Sequence, residues 1–301
     1  MKRVAIVAGV AWLALALGSA VYAAPITLGL FAPSAPFPST AERVELANRL
    51  GAELGKALNV PGSGRVYARA VDFGAAVSKK EVTLALVDPA YLTDPAVRGA
   101  GNFVVIAVSL AAGEKAERTW QLVARAGTKF TELKGKRVLV PSLGGREAEF
   151  VINVLFGGEV GRDFFAKIDP APDTASALAA LELGKADATV VPVTGELPAG
   201  TAEVLPLPAL SNPVLVVYGG IDRDAVLAAA LSFKGDAPIA GFSAADGRIV
   251  GDLASRFHPP AKRGPFLIPA TRLVVGDLIE GRRFAIERTP VTAFVIAPTT
   301  R

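Results

Sequence analysis

From Ile26 onward the chain alternates short, unbroken apolar runs with longer stretches whose apolar residues recur every three or four positions. Unbroken runs of this length suit strands buried on both faces, and the three-to-four spacing suits helices with one apolar stripe. The first run, 26–31, is followed by a Pro/Ser loop at 32–39, and Thr40 is placed to cap a helix over 41–58. That helix aligns Val44, Ala47, Leu50, Leu54 and Leu58. Residues 65–71 then alternate as a strand, 74–79 form a short helix, and 82–87 read as a buried strand. Strand, helix, strand, helix, strand argues for a parallel sheet with right-handed crossovers.

Two more apolar strands are expected at 103–110 and 119–126, joined by a small polar connection at 111–115. A second unit repeats the architecture without visibly repeating the sequence: strand 136–141, helix 145–156, a loop, helix 175–183 and strand 187–192. Two such units in tandem imply two lobes with a crevice between them. Residues 212–219 form a further strand, and Asp222 is placed to cap a helix over 222–233. From residue 236 the pattern changes to short strands at 272–275, 283–286 and 293–296, with turns at Gly276-Asp277 and Glu280-Gly281. This segment is expected to rejoin the first lobe or to form a β-rich appendage.

The N-terminus narrows the setting. Lys2 and Arg3 precede an apolar run over 4–17 and then small residues up to Ala23, the parts of a secretory signal peptide cleaved after Ala23. The run is short of the roughly 20 residues a spanning helix needs. Removing 1–23 takes the net charge from +4 to about 4 − 2 = +2, and no Lys/Arg run is interleaved with aromatics, so nucleic acid is not an expected partner. With no cysteine in 301 residues, disulfides, thiolate metal sites, a cysteine nucleophile and a lipidated N-terminal cysteine are all excluded. A periplasmic, soluble, monomeric protein is expected.

In open α/β sheets ligands sit beyond the carboxyl ends of the strands. Three loops there carry polar residues: 32–40, 87–92 and 141–146. The strand running into Asp88-Pro89-Ala90-Tyr91, the sequence Leu133-Lys134-Gly135-Lys136-Arg137-Val138-Leu139-Val140 followed by Ser142, and the helix passing through Gly184-Lys185-Ala186-Asp187-Ala188 to a strand occur in this order. In that order the chain resembles the type 2 periplasmic solute-binding proteins, particularly the phosphate/phosphonate-binding branch of ABC-transporter receptors. The resemblance covers roughly 26–233. It implies a two-lobed α/β fold with a hinge: lobe 1 from 24–112 and 206–301, including the β-rich segment beyond about 236, and lobe 2 from 113–205, with crossings near 111–117 and 206–211. It implies a small, preferably anionic solute, a membrane permease of an ABC transporter as partner, and no cofactor. Ser142, Gly144 and Gly145 would offer a hydroxyl and backbone N–H groups to an oxyanion at a helix start, with Arg146 as a bidentate grip. Ser34, Ser39 and Thr40 would face it from lobe 1, Asp88 and Tyr91 would lie beside the hinge side of the cleft, and Thr194 is a further candidate. The chain departs from the family where Leu143 and glycines replace the usual Ser/Thr-rich loop, and where Asp88 would repel a phosphate.

Read without the resemblance, 142–145 is also a plain strand-to-helix turn, Asp88 a turn starter, and Tyr91 a packing residue. An enzyme has few parts available. His258 is the only histidine, and no Gly-x-Ser-x-Gly elbow, phosphate loop or dinucleotide fingerprint is present. A carboxylate-pair hydrolase stays open, as does an exported sensory or protein-interaction module that keeps the binding fold.

Overall fold

The computed structural model describes residues 24–258. In chain order it contains β1 (Ile26–Phe31), α1 (Thr40–Ala57), β2 (Gly62–Val66), α2 (Ala70–Ser78), β3 (Leu84–Val87), α3 (Pro89–Leu92), α4 (Pro95–Ala100) and β4 (Phe103–Leu110). There follow β5 (Glu117–Arg125), β6 (Arg137–Pro141), and α5 (Glu147–Glu149), which runs on as a π-helical stretch, Phe150–Leu155. Then come β7 (Lys167–Ala171), α6 (Thr174–Glu182), β8 (Ala188–Pro192), β9 (Thr201–Ser211), β10 (Val214–Tyr218), α7 (Arg223–Ser232), β11 (Gly241–Ala244) and α8 (Arg248–Arg256).

The strands form two mixed sheets, in the orders β11-β4-β10-β3-β1-β2 and β7-β6-β8-β5-β9. The expected parallel pairing holds along one side of each sheet: β1 lies parallel to β2 and β3, and β6 parallel to β7 and β8. Antiparallel strands complete both sheets, because the chain leaves the first sheet after β4 and returns to it with β10, between β3 and β4. Each sheet has its own apolar core. Leu28, Leu30, Leu50 and Leu84 are fully buried in the first, and Leu122, Val138, Phe150 and Val190 in the second.

Local chemistry explains the elements and the departures from expectation. The cap of α1 is Ser39, one residue before Thr40: its Oγ accepts from Glu42 N at 3.2 Å, and its hydroxyl donates to the Glu42 carboxylate at 3.3 Å. Leu46, Ala47, Leu50 and Leu54 bury the stripe of α1, whereas Val44 stays exposed. This helix lies almost directly on β2, since a Cβ on Gly64 would stand 2.1 Å from the Ala47 carbonyl. The alternation at 65–71 does not continue as strand: β2 ends at Val66 and α2 already begins at Ala70. Strands β7 and β9 sit where a loop and a hinge crossing were expected. Both are sheet edges, where Pro170, Pro206 and Pro208 are tolerated and a polar outer face costs little. Residues 206–211, expected as the second crossing into lobe 1, are therefore the second half of β9, paired with β5 as far as Ser211.

Beyond residue 236 the described chain adds one strand, β11, on the edge of the first sheet, and then the amphipathic helix α8. The strands expected at 272–275, 283–286 and 293–296 and the signal peptide at 1–23 lie outside the described residues. Among the described residues no helix is long and apolar enough to cross a membrane.

Candidate functional site

The carboxyl ends of β1 and β3 meet those of β6 and β7 along a seam between the two sheets. In the first lobe Asp88, at the end of β3, is 2% exposed. Its carboxylate accepts from Ser34 N at 2.9 Å and from the Ser34 hydroxyl at 2.5 Å, which ties the loop after β1 to β3. Burial raises the Asp88 pKa to about 6, even though the Ser34 bonds and the Arg118 and Arg43 guanidiniums act the other way.

Across the seam Arg43, on α1, reaches Asp173 at 2.6 Å, with the two side chains only 10% and 14% exposed. Asp173 also caps α6, accepting from Ser176 N at 2.7 Å. Burial pushes its carboxyl up, but the Ser176 bonds and the Arg43 guanidinium outweigh this and hold it below the usual range. The next residue, Thr174, donates from its N–H to Pro33 O at 3.1 Å and from its hydroxyl to Ser34 O at 3.0 Å. The start of α6 is thus pinned to the loop after β1. Two buried donors, Arg43 Nε on α1 and Gln121 Nε2 on β5, have no hydrogen-bond partner among the described residues. Burial also lowers the pKa of Arg118, at the start of β5, against the opposing pull of Asp88.

The loop after β6 makes the second set of contacts. Glu147 is buried, and its Oε1 accepts from Leu143 N at 2.8 Å and Gly145 N at 3.1 Å. Of the groups expected to greet an oxyanion, the Gly145 amide already holds a carboxylate from the chain itself and the Ser142 amide is bonded to Ala171 O, and the helix begins at Glu147, not at Gly145. Gly144 has φ +90°, and a Cβ there would stand 2.9 Å from the Tyr91 ring, so only glycine lets this loop lie against Tyr91. Arg146 is committed elsewhere than expected. It donates from Nε to Glu149 at 3.0 Å and from Nη1 to Thr93 Oγ1 at 3.1 Å, and its guanidinium lies 3.9 Å from the Phe257 ring centre. A free bidentate grip on a ligand is not what this geometry offers.

The structure gathers Ser34, Asp88, Tyr91, Gly144 and Arg146 along the seam. Ser142 stands at the end of β6, its N–H bonded to Ala171 O at 2.8 Å, in the same loop as Gly145. Ser39 and Thr40 are exposed at the start of α1, and the Ser39 hydroxyl is used by the cap. Thr194 turns its hydroxyl to Glu196 O at 3.3 Å. Sequence reasoning missed Arg43, Arg118, Glu147, Asp173 and Thr174. One signal was present: Arg43 falls on the buried stripe of α1, one turn from Ala47, where a cation needs a partner from another element. Among the described residues no cluster of three or more His, Cys, Asp or Glu is arranged to hold a metal ion.

Solved structures with a similar fold are known. A binding-protein component of an ABC phosphonate transporter from Pseudomonas aeruginosa superposes with a TM-score of 0.61 at 9% identity, over 77% of this chain and 85% of that one. PhnD1 from Prochlorococcus marinus, in complex with methylphosphonate, gives 0.62 at 13% identity, over 77% and 96%. A Xanthomonas citri protein bound to ATP gives 0.59 at 10% identity, over 78% and 97%. No family model matches the chain, and neither does any curated protein sequence. The chain has the two-lobed α/β fold of type 2 periplasmic solute-binding proteins.

Proposed function

We propose that this chain is a periplasmic solute-binding protein, exported by a signal peptide over 1–23, that closes its two lobes on a small solute and presents it to the membrane permease of an ABC transporter. The observation that carries this reading is the seam. Each lobe has its own sheet and main core, and the contacts between strand ends are largely polar, namely the Arg43–Asp173 pair, the Thr174 bonds to the loop after β1 and the Arg146–Thr93 bond, while Ala90 and helix α8 add apolar packing across the lobes. Polar contacts of this kind can be exchanged for contacts with a solute, whereas one continuous apolar core could not separate. The likeness to phosphonate and ATP complexes supports a small-molecule role and not a catalytic one.

An anionic solute would have to displace the chain's own carboxylates, Asp173 from Arg43 or Glu147 from the loop amides. Arg43, with its unpartnered Nε, and Arg118 are the cations best placed to receive it. A thermal-unfolding screen of the purified protein against methylphosphonate, phosphate, carboxylates, amines and neutral aromatics tests the reading. One chemical class should raise the midpoint in a concentration-dependent way, by about 2.7 kcal/mol of stability at a hundredfold excess over Kd. A midpoint unmoved by every class counts against a solute receptor.

One observation favours a second reading, an exported sensory or interaction module. The seam is closed by the protein's own groups, and a closed surface is what a protein partner would recognise. The screen separates the two, because that module needs no solute.

A further inference from the structure

Two groups that could receive an anion are filled from within, Arg43 by Asp173 and the Leu143 and Gly145 amides by Glu147. Alongside the same seam lies a cavity of a different character. It measures about 340 Å³, at the lower end of the roughly 300–1,000 Å³ usual for small-molecule sites, and none of the residues lining it is charged. Its walls come from both lobes: α2, α4, Tyr91 and Tyr218 from the first, and Gly144 from the second. Closure of the lobes is therefore what completes it, and the missing side chain at Gly144 leaves its wall open beside the Tyr91 ring.

Part of the lining is aromatic. Phe73 is fully buried, and its ring meets Tyr91 edge-on at 5.6 Å. Two tyrosines line the cavity, and neither hydroxyl has a short partner. Tyr91 reaches Ala70 O only at 3.5 Å, well beyond the 2.7–2.8 Å usual for O–H···O bonds, and Tyr218 has no hydrogen-bond partner among the described residues. Both phenols line the same cavity, and burial holds both pKa values up, that of Tyr91 at about 12. Both therefore stay protonated at neutral pH and are available as donors. A charged solute would lose its hydration here with nothing to replace it, whereas a flat ring can pack against Phe73 and Tyr91 and accept from the phenols.

We propose that this cavity is the solute seat, and that it takes a small uncharged aromatic molecule bearing a carbonyl or ether oxygen, accepted between Tyr91 and Tyr218. The assignment rests on the solute-binding reading for its purpose and on the cavity alone for its chemistry. Acetophenone is a suitable probe, with benzoate as its charged counterpart and methylphosphonate as the oxyanion. Titration by ligand-observed NMR should show acetophenone binding at least tenfold more tightly than benzoate. The rings are kept in the double variant Tyr91→Phe/Tyr218→Phe, which should weaken acetophenone at least tenfold. Ala96→Trp, at an exposed position on the rim, should do the same by filling the space. Equal acetophenone binding by the wild type and both variants overturns the site. Binding of methylphosphonate with no binding of acetophenone overturns the assignment and leaves the solute-binding reading standing. Binding of neither probe also overturns it, while the separate question of lobe movement is decided by an interlobe distance.

Discussion

Burying the Asp88 carboxylate at the end of β3 withdraws it from water, and the two bonds from Ser34 replace only part of the lost hydration. Its pKa of about 6 in the folded protein lies above its ordinary value of 3.8, so the native state holds this proton more tightly than the unfolded chain does. The stability from that difference is fully present below about pH 4 and is lost as pH rises through about 6. A difference of about two pKa units amounts to roughly 3 kcal/mol. Asp88→Asn can still accept from Ser34 N and cannot titrate. Denaturant unfolding from pH 4 to 7 should therefore show wild type losing stability relative to this variant, and parallel curves would contradict the assignment. At this scale the sequence was partly legible: Asp88, Ser34 and Tyr91 stand where strand ends place them. Their partners were hidden, because Ser34 and Asp88 are 54 positions apart and Arg43 and Asp173 are 130 apart. The role of Glu147 was hidden for another reason. It folds back on the loop only two to four residues before it, so the loop that looked like an anion seat carries its own anion.

Among the elements, α8 does most to join the lobes. Val250 packs with the first lobe, while Leu253 and Phe257 are buried in the core of the second. Asn153 donates to Phe257 O at 2.8 Å, and Arg256 donates to Val154 O at 3.1 Å, so the π-helical stretch after α5 receives the end of this helix directly. Phe257→Ala removes a buried ring and the face on which Arg146 rests, a change worth about 3–5 kcal/mol in a core. Thermal unfolding should shift down by on the order of 10 °C, whereas Val44→Ala, at an exposed site, should leave the midpoint nearly unchanged. Equal midpoints for both variants would mean that α8 is not a structural bridge. The central strands and α1, α6 and α7 could be read from apolar runs, stripes and caps, since Asp222 does cap α7 by accepting from Asp224 N and Ala225 N. Edge strands β7 and β9 could not, because their prolines and polar faces carry the signature of loops. The stripe of α8 is present at Val250, Leu253 and Phe257, but it follows a stretch of turn residues and so reads as the start of a β-rich tail.

At the scale of the molecule the proposed function comes down to two lobes that open and close along a largely polar seam, with α8 as the apolar bridge between them. The Arg43–Asp173 pair is the contact most easily tuned, because Asp173→Asn keeps a side chain able to cap α6 while removing the charge that holds Arg43. The chain has no cysteine, so Glu45→Cys on α1 and Lys185→Cys beyond α6, both exposed, place two spin labels on opposite lobes without competing sites. The most direct measurement is the interlobe distance distribution from pulsed electron resonance, for this labelled protein with and without the Asp173→Asn substitution. The account predicts a short distance while Asp173 is in place, a longer population with the substitution, and a return toward the short distance when a binding solute is added. A single distance, unchanged by the substitution and by every solute tested, would contradict it.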